Sequence, residues 1–251
     1  MTGAALRATL GEGGTDGVFA VVANCGTTNL GAVDELDAVA DVCDALDLWL
    51  HIDAAYGGAA LCAPSTRPER GGFERADSFG IDPHKWLFAP YDCAALVYRR
   101  PALASAAHAQ HGTYLDMVSR EEWNPSDFAF HLSRRARGLP LWFSLATYGT
   151  DAYTEAVETT LEVARRFAAE VDRRDGFGLL LDPQLSVVLF TVDGWDEARY
   201  RTWSRSRARE GVALVVPTWW DGECCYRICV VNPLTTDAML AALLDDMAAF
   251  A

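Results

Sequence analysis

Residues 82–87 read Asp82-Pro83-His84-Lys85-Trp86-Leu87, directly after the strand-like run Asp77-Ser78-Phe79-Gly80-Ile81. Upstream, residues 51–58 read His51-Ile52-Asp53-Ala54-Ala55-Tyr56-Gly57-Gly58, and they end an apolar run that begins at Leu48. Lys85 follows Asp53 by 32 residues, which is enough chain for a crossover and a return to the neighbouring strand of a parallel sheet. The two stretches therefore predict an α/β sheet with a lysine and a carboxylate at the same edge.

A lysine amine and a carboxylate in this arrangement suit pyridoxal phosphate (PLP). The lysine forms a Schiff base with the cofactor, and the carboxylate pairs with the protonated ring nitrogen, which keeps the ring able to accept electrons. Lys85 and Asp53 are the candidates. The apolar neighbours of Lys85 predict a desolvated, nucleophilic amine. The competing interpretations are a helix cap or loop hydrogen bond for Asp53 and a solvated sheet-edge lysine for Lys85.

Six short segments extend this pattern along the chain. They are Gly26-Thr27-Thr28, His51-Ile52-Asp53-Ala54-Ala55-Tyr56, Ala76-Asp77-Ser78, Pro83-His84-Lys85-Trp86, Thr113-Tyr114-Leu115 and Arg134-Arg135-Ala136-Arg137. In their order and approximate spacing they resemble the group II PLP-dependent decarboxylases, the family of aromatic-L-amino-acid, tyrosine and glutamate decarboxylases.

The resemblance implies the C-terminal part of a fold-type I PLP-dependent transferase, the aspartate aminotransferase-like α/β fold. Residues 1–133 would be the C-terminal part of the PLP-binding large domain with an active-site loop. Residues 134–251 would be a long helix and a small C-terminal α/β domain.

The resemblance also implies roles for individual residues. Lys85, Asp53 and His84 would be catalytic, and Ala55, Thr27 and Asp82 would join these three in binding the cofactor. Two alternatives stay open: Thr27 as a capping hydroxyl of a strand-to-helix loop, and His84 as an ordinary core or surface histidine. The Arg134–Arg137 cluster favours structural or subunit contacts over a substrate-carboxylate clamp, because a decarboxylase gains from leaving that carboxylate weakly held.

Members of this family are roughly twice as long as this chain, which begins in their middle. The half without a counterpart here carries the histidine that stacks on the cofactor ring and a phosphate-binding loop. The resemblance therefore predicts a complementary chain that bears the N-terminal half. The expected assembly is a hetero-oligomer, arranged as a dimer of heterodimers.

The expected reaction is decarboxylation of an L-amino acid, with an aromatic side chain by overall likeness. The family's active-site loop carries a catalytic tyrosine, and counting back from Arg134 finds none at the expected position, near Pro125. This departure favours an alternative, oxidative deamination to an aldehyde on the same scaffold. A third alternative is a non-catalytic, truncated subunit that stabilises a partner.

Composition narrows the class of protein further. The chain has 251 residues and a formal net charge of −14, which excludes a basic footprint for nucleic acid. Apolar runs are too short to span a membrane, and the seven cysteines have no metal-type spacing. Seven cysteines and no signal-peptide pattern predict buried thiols in the cytoplasm.

The remaining periodicity predicts the secondary structure. The expected strands are 18–23, 48–52, 77–81, 93–98, 185–192, 212–216 and 226–231. The runs at 18–23 and 93–98 are typical of buried strands. The expected helices are 33–46, 195–210 and 139–174, the last of which is broken at Gly149. A final helix begins after Thr235, which is its expected N-cap.

Overall fold

The computed structural model describes residues 1–66, 71–109 and 124–250, in which the strands form two four-stranded sheets. The first sheet contains, in spatial order, β1 (Ala20–Asn24), β2 (Trp49–Asp53), β3 (Ser78–Ile81) and β4 (Ala95–Tyr98). Its first three strands are parallel, and β4 is antiparallel to β3. The second sheet is antiparallel and contains β5 (Phe177–Leu179), β6 (Val187–Val192), β7 (Pro217–Trp220) and β8 (Glu223–Cys229), in the spatial order β5-β6-β8-β7.

Helices pack on and between these sheets. Their bounds are α1 (Gly3–Gly13), α2 (Leu36–Leu46), α3 (Pro83–Trp86), α4 (Pro101–His108), α5 (Gly138–Arg173), α6 (Glu197–Glu210) and α7 (Asp237–Ala249). Short 3-10 helices cover Gly57–Cys62 and Pro125–Phe128. No helix in the described ranges is long and apolar enough to cross a membrane. The Thr113-Tyr114-Leu115 motif lies outside the described residues.

Only one face of the first sheet is covered by the described helices. Val21 and Ile52 point into a core shared with α1 and α2, whose apolar residues recur at helical spacing. On the other face, Val22 is 56% exposed and Leu96 of β4 is 52% exposed, and Val97, on the opposite side of β4, is also exposed. The prediction of buried strands at 18–23 and 93–98 is therefore wrong for half of the first run and for most of the second. A continuous apolar run suits a strand covered on both faces, and here one layer is absent from the described residues.

Helix α5 links the two sheets, and Gly149 interrupts it as predicted. Gly149 has φ 77° and ψ 165°, a conformation that side chains with a Cβ strongly disfavour. Beyond this kink, Val157 and Leu161 of α5 pack in a buried cluster with Trp86 and Leu185. The second part of α5 thus holds the first sheet against the second, while a domain boundary between residues 133 and 134 stays a prediction.

Two details near the C-terminus differ from expectation. The strand predicted at 212–216 lies instead at Pro217–Trp220, because Asp221 and Gly222 both adopt positive φ and form the tight hairpin turn that joins β7 to β8. The predicted N-cap Thr235 is also wrong. The hydroxyl of Thr236 accepts the bond from the Met239 amide and caps α7, because the helix begins one residue later than its sequence pattern indicates.

Candidate active site

The carboxyl ends of three parallel strands meet at one edge of the first sheet. Asn24, Asp53 and Gly80 are aligned across β1, β2 and β3. Beyond the strands, the two site segments continue side by side, since the Asp82 amide donates to the Ala55 carbonyl at 3.0 Å. In open α/β sheets this edge is where ligands bind. The backbone therefore brings together the segments that carry Asp53 and Lys85.

Asp53 is the last residue of β2, and its side chain is exposed. One carboxylate oxygen accepts a hydrogen bond from the Ala55 amide at 3.1 Å, which is the loop bond that the competing interpretation expects. That bond engages one oxygen, so a contact with a ring nitrogen would use the other. The two interpretations of Asp53 are thus compatible. Nearby, burial lowers the pKa of His51, and the negative charge of Asp53 acts against this shift.

Lys85 lies in the single turn α3, which begins with Pro83 at its first position and Asp82 as its N-cap. Its amine is 2.9 Å from an Asp82 carboxylate oxygen, and its side chain is 44% exposed. The expectation of a desolvated amine is therefore wrong. The turn directs the next residue, Trp86, into the core with no exposed surface, so Lys85 points the other way. The amine is accessible to an aldehyde that approaches the sheet edge.

The other predicted site residues lie around this edge and make contacts within the chain. The His84 Nδ1 atom lies 2.6 Å from the Cys93 carbonyl oxygen and 3.1 Å from the Cys93 amide nitrogen. A role for His84 toward a ligand would therefore fall to Nε2. The Thr27 hydroxyl accepts from the Ala32 amide at 3.2 Å, as a loop-capping residue does, and retains its own hydrogen for donation. Ala55 is half-buried and presents only a methyl group.

Two aromatic rings join the two site segments, and sequence reasoning missed this contact. Tyr56 and Trp86 stack with ring centroids 5.0 Å apart and an interplanar angle of 12°. The Tyr56 hydroxyl bonds to Ser186, and the Trp86 ring N–H bonds to Thr160, both far along the chain. Both rings stand in the quoted motifs, so their positions were visible. Nothing in the sequence pattern marks Ser186 or Thr160 as their partners.

The arginine cluster makes contacts inside the chain. Arg135 and Arg137 both bind the carboxylate of Asp92, and the hydrogen bond from Arg137, together with both positive charges, lowers the pKa of Asp92. Arg134 donates to the backbone carbonyls of His131 and Pro125. These contacts match the structural interpretation of the cluster.

Residues 1–193 match the family model described as the pyridoxal-dependent decarboxylase conserved domain. The aromatic-L-amino-acid decarboxylase of Bacillus atrophaeus is 31% identical over 244 residues, which cover 93% of this chain and 51% of that protein. The acidic amino acid decarboxylase GADL1 of Xenopus tropicalis is 37% identical over 176 residues, covering 68% of this chain and 34% of that protein.

Two further comparisons show the range of the family. The 3,4-dihydroxyphenylacetaldehyde synthase of Aedes aegypti is 29% identical over 94% of this chain and 46% of that protein. The crystal structure of Oryza sativa TDC with PLP and tryptamine superposes with a TM-score of 0.88 at 28% identity, over 99% of this chain and 54% of that chain.

The chain spans about half the length of the curated relatives it matches. Its α/β architecture corresponds to about half of the fold-type I decarboxylases, in agreement with the fold class expected from the motifs. The segments that align run through both sheets, so the likeness does not depend on one short motif. The chain belongs to the pyridoxal-dependent decarboxylase family, whose cofactor is PLP.

Proposed function

We propose that this chain supplies Lys85 and Asp53 to an enzyme that decarboxylates an L-amino acid with the help of PLP. The observation that carries this proposal is the bond between Ala55 and Asp82, which places the two site segments side by side at the carboxyl edge of the sheet. Lys85 is also the only lysine among the 251 residues, although the chain has many arginines. An accessible lysine at this one position suits a cofactor that requires an amine.

The residues present fit the chemistry of PLP. When bound, PLP accepts the electrons that remain at Cα as carbon dioxide leaves. In this proposal the Lys85 amine holds the cofactor covalently, and the Asp82 carboxylate orients that amine. The Asp53 carboxylate holds the proton on the ring nitrogen through a charge-assisted hydrogen bond.

Three further residues near Lys85 and Asp53 are proposed to contact the cofactor. Ala55 allows the cofactor ring to approach closely, because it has no side-chain atom beyond Cβ. The Thr27 hydroxyl donates to the cofactor, and His84 holds the phosphate or moves a proton through Nε2. Each of these roles is compatible with the bonds that the same residues make inside the chain.

An aromatic L-amino acid is the proposed substrate. Support comes from the name of the Bacillus relative and from the rice protein, whose structure contains tryptamine. The GADL1 relative acts, by its name, on acidic amino acids, so the test is a substrate panel. We expect release of carbon dioxide from aromatic substrates and much less from aspartate, glutamate or cysteine sulfinate. The reverse order would contradict the aromatic assignment.

A complementary polypeptide with the N-terminal half of the family's fold is part of the proposal, as a dimer of heterodimers. The open face of the first sheet supports it, since parallel sheets are normally covered on both faces. Cytoplasmic location is also proposed. All seven cysteines lie in the described residues and form no disulfide there, which suits a reducing compartment.

Aldehyde formation is the second candidate reaction. The Aedes relative is named for an aldehyde product, and here Pro125 stands near the position expected for the loop tyrosine. Product analysis separates the two reactions. Carbon dioxide with an amine supports simple decarboxylation. Carbon dioxide with an aldehyde and ammonia, formed only when dioxygen is supplied as the two-electron oxidant, supports the alternative.

Borohydride reduction tests the proposed role of Lys85. The chain is incubated with PLP, alone and after co-expression with the N-terminal half of a relative, then reduced and mapped by mass spectrometry. Because the chain has one lysine, its N-terminal amine is the only competing amine within this chain. We expect the pyridoxyl group on Lys85 and its loss in Lys85→Arg. A label confined to the N-terminus, or no label in either preparation, contradicts the proposal and favours a non-catalytic subunit.

A further inference from the structure

The Tyr56–Trp86 stack connects the two residues proposed to hold the cofactor. Tyr56 follows Asp53 by three residues, and Trp86 follows Lys85 directly. The near-parallel rings are 5.0 Å apart, and Trp86 is fully buried. Stacked aromatic pairs favour a specific geometry beyond their burial of apolar area. The stack therefore fixes the distance between the two site segments on their buried side.

Both rings are anchored by polar atoms outside the first sheet. The Tyr56 hydroxyl accepts a hydrogen bond from the Ser186 amide at 3.1 Å and also contacts the Ser186 hydroxyl. The Trp86 ring N–H donates to the Thr160 hydroxyl at 2.9 Å. Ser186 and Thr160 are fully buried, one directly before β6 and the other in α5. Neither ring can shift without breaking a buried hydrogen bond.

The chain around Tyr56 leaves little room for another arrangement. A Cβ added to Gly26 would lie 2.8 Å from the Tyr56 ring, and burial raises the pKa of Tyr56 well above its ordinary value. In contrast, the side chains of Asp53 and Lys85 are exposed. Their positions therefore depend on the buried residues beside them.

We propose that Tyr56 is a positioning residue for the cofactor: its stack on Trp86 and its bond to Ser186 set the spacing between the Asp53 carboxylate and the Lys85 amine. This inference rests on the proposed function. The two groups act on opposite ends of one rigid ring, so a small change in their spacing weakens both contacts at once. Through its bond to Ser186, Tyr56 also connects the second sheet to the carboxyl edge of the first sheet, where the cofactor is proposed to bind.

Two tyrosines whose hydroxyls accept from backbone amides form a matched pair for the test. Tyr56→Phe keeps the aromatic ring and removes the hydroxyl that accepts from Ser186. Tyr200→Phe removes a comparable hydroxyl on α6, which accepts from the Val192 amide of β6 at 2.7 Å. Ser186→Ala removes the serine hydroxyl but keeps Tyr56. A purely structural role would make the two tyrosine variants behave alike.

The measurements are PLP affinity, the visible absorption of the bound cofactor against pH, and urea unfolding. They use whichever preparation of the wild-type chain, alone or with the complement, takes up PLP. We expect Tyr56→Phe to weaken PLP binding about tenfold and to shift the pH midpoint of the absorption. Tyr200→Phe should lower stability but leave both cofactor readouts unchanged. Wild-type affinity and spectrum in Tyr56→Phe, or equal changes in both variants, would overturn the inference.

A double-mutant cycle separates failure of this inference from failure of the proposed function. If the wild-type chain takes up no PLP at Lys85, the proposed function fails and with it the cofactor role of Tyr56. In that case the free energies of unfolding in urea of Tyr56→Phe, Ser186→Ala and the double variant test the Tyr56–Ser186 contact by itself. Losses that couple support the contact between the Tyr56 and Ser186 hydroxyls, and strictly additive losses overturn that contact.

Discussion

Lys85 and Trp86 are neighbours in the sequence with opposite surroundings. The single turn that begins at Pro83 directs the indole into the core and the amine toward solvent, where Asp82 pairs with it. Asp53 has a similar double character, because one oxygen caps the following loop while its side chain remains exposed. At this scale, buried residues supply the rigidity, and the polar residues next to them remain accessible for chemistry.

The substitution Asp53→Asn tests the ring-nitrogen contact. Asparagine retains an oxygen that can accept from the Ala55 amide, so the fold and its melting temperature should change little. Removal of the charge should lower turnover of the assembled enzyme by about a hundredfold or more. Steady-state kinetics and thermal unfolding measure the two effects. Asp182→Asn, at an exposed aspartate after β5, is the control, and wild-type turnover in Asp53→Asn would contradict the assignment.

Secondary-structure elements in this chain are set by local signals that differ in strength. The hairpin between β7 and β8 follows from two positive-φ residues, Asp221 and Gly222. The start of α7 follows from a single hydroxyl, that of Thr236. Before α5, Arg135 and Arg137 both pair with Asp92, which precedes β4. Two of these signals lead to direct tests.

Thr235 and Thr236, which precede α7, should contribute differently to stability, because only Thr236 caps the helix. Thr236→Ala removes the acceptor for the Met239 amide and should lower the free energy of unfolding by about 1 kcal/mol. Thr235→Ala should change it by less than about 0.5 kcal/mol, because its side chain is not the cap. Urea unfolding of both variants measures the difference. A larger loss for Thr235→Ala would contradict the assigned cap.

The Asp92 contacts predict a pH dependence. The pKa of Asp92 in the folded chain is lowered, first by the hydrogen bond from Arg137. A lowered pKa stabilises the fold above the ordinary carboxyl value, and that contribution disappears as the pH falls through the lowered pKa. The melting temperature of Asp92→Asn should therefore lie slightly below that of the wild type near neutral pH. The difference in melting temperature between the two proteins should disappear in acid. A difference that stays constant at every pH would contradict this account.

Two of the places where the described residues expose apolar side chains are a sheet face and a helix face. One is the open face of the first sheet, where Val22 is 56% exposed. The other is the first part of α5, where Leu139, Trp142 and Phe143 share one helix face and are each more than half exposed. Apolar areas of this kind commonly mark contact surfaces. They support the proposal that another polypeptide segment covers this sheet.

The open face leads to a test of assembly. We expect residues 1–251 alone to self-associate, and Val22→Ser to reduce this association, because it removes apolar surface from the uncovered face. Val212→Ser, at an equally exposed valine before β7, is the matched control and should have less effect. Sedimentation velocity measures both, with and without the complementary half. A monomeric chain that binds PLP and is active alone would refute the need for a complement.

The sequence by itself was sufficient for the α/β class, the PLP family and the sheet edge at which Asp53 and Lys85 lie, because these depend on short motifs and on the periodicity of the strands and helices. The kink at Gly149 was also visible, since a glycine within a long helical pattern is a local signal. Only the tertiary structure decided which faces are covered: the exposed β4, the accessible Lys85 and the uncovered side of β1. Burial depends on which elements pack from elsewhere in the chain. For the same reason, the anchors Ser186 and Thr160 were invisible in the sequence, because hydrogen bonds over such separations arise only when distant segments meet.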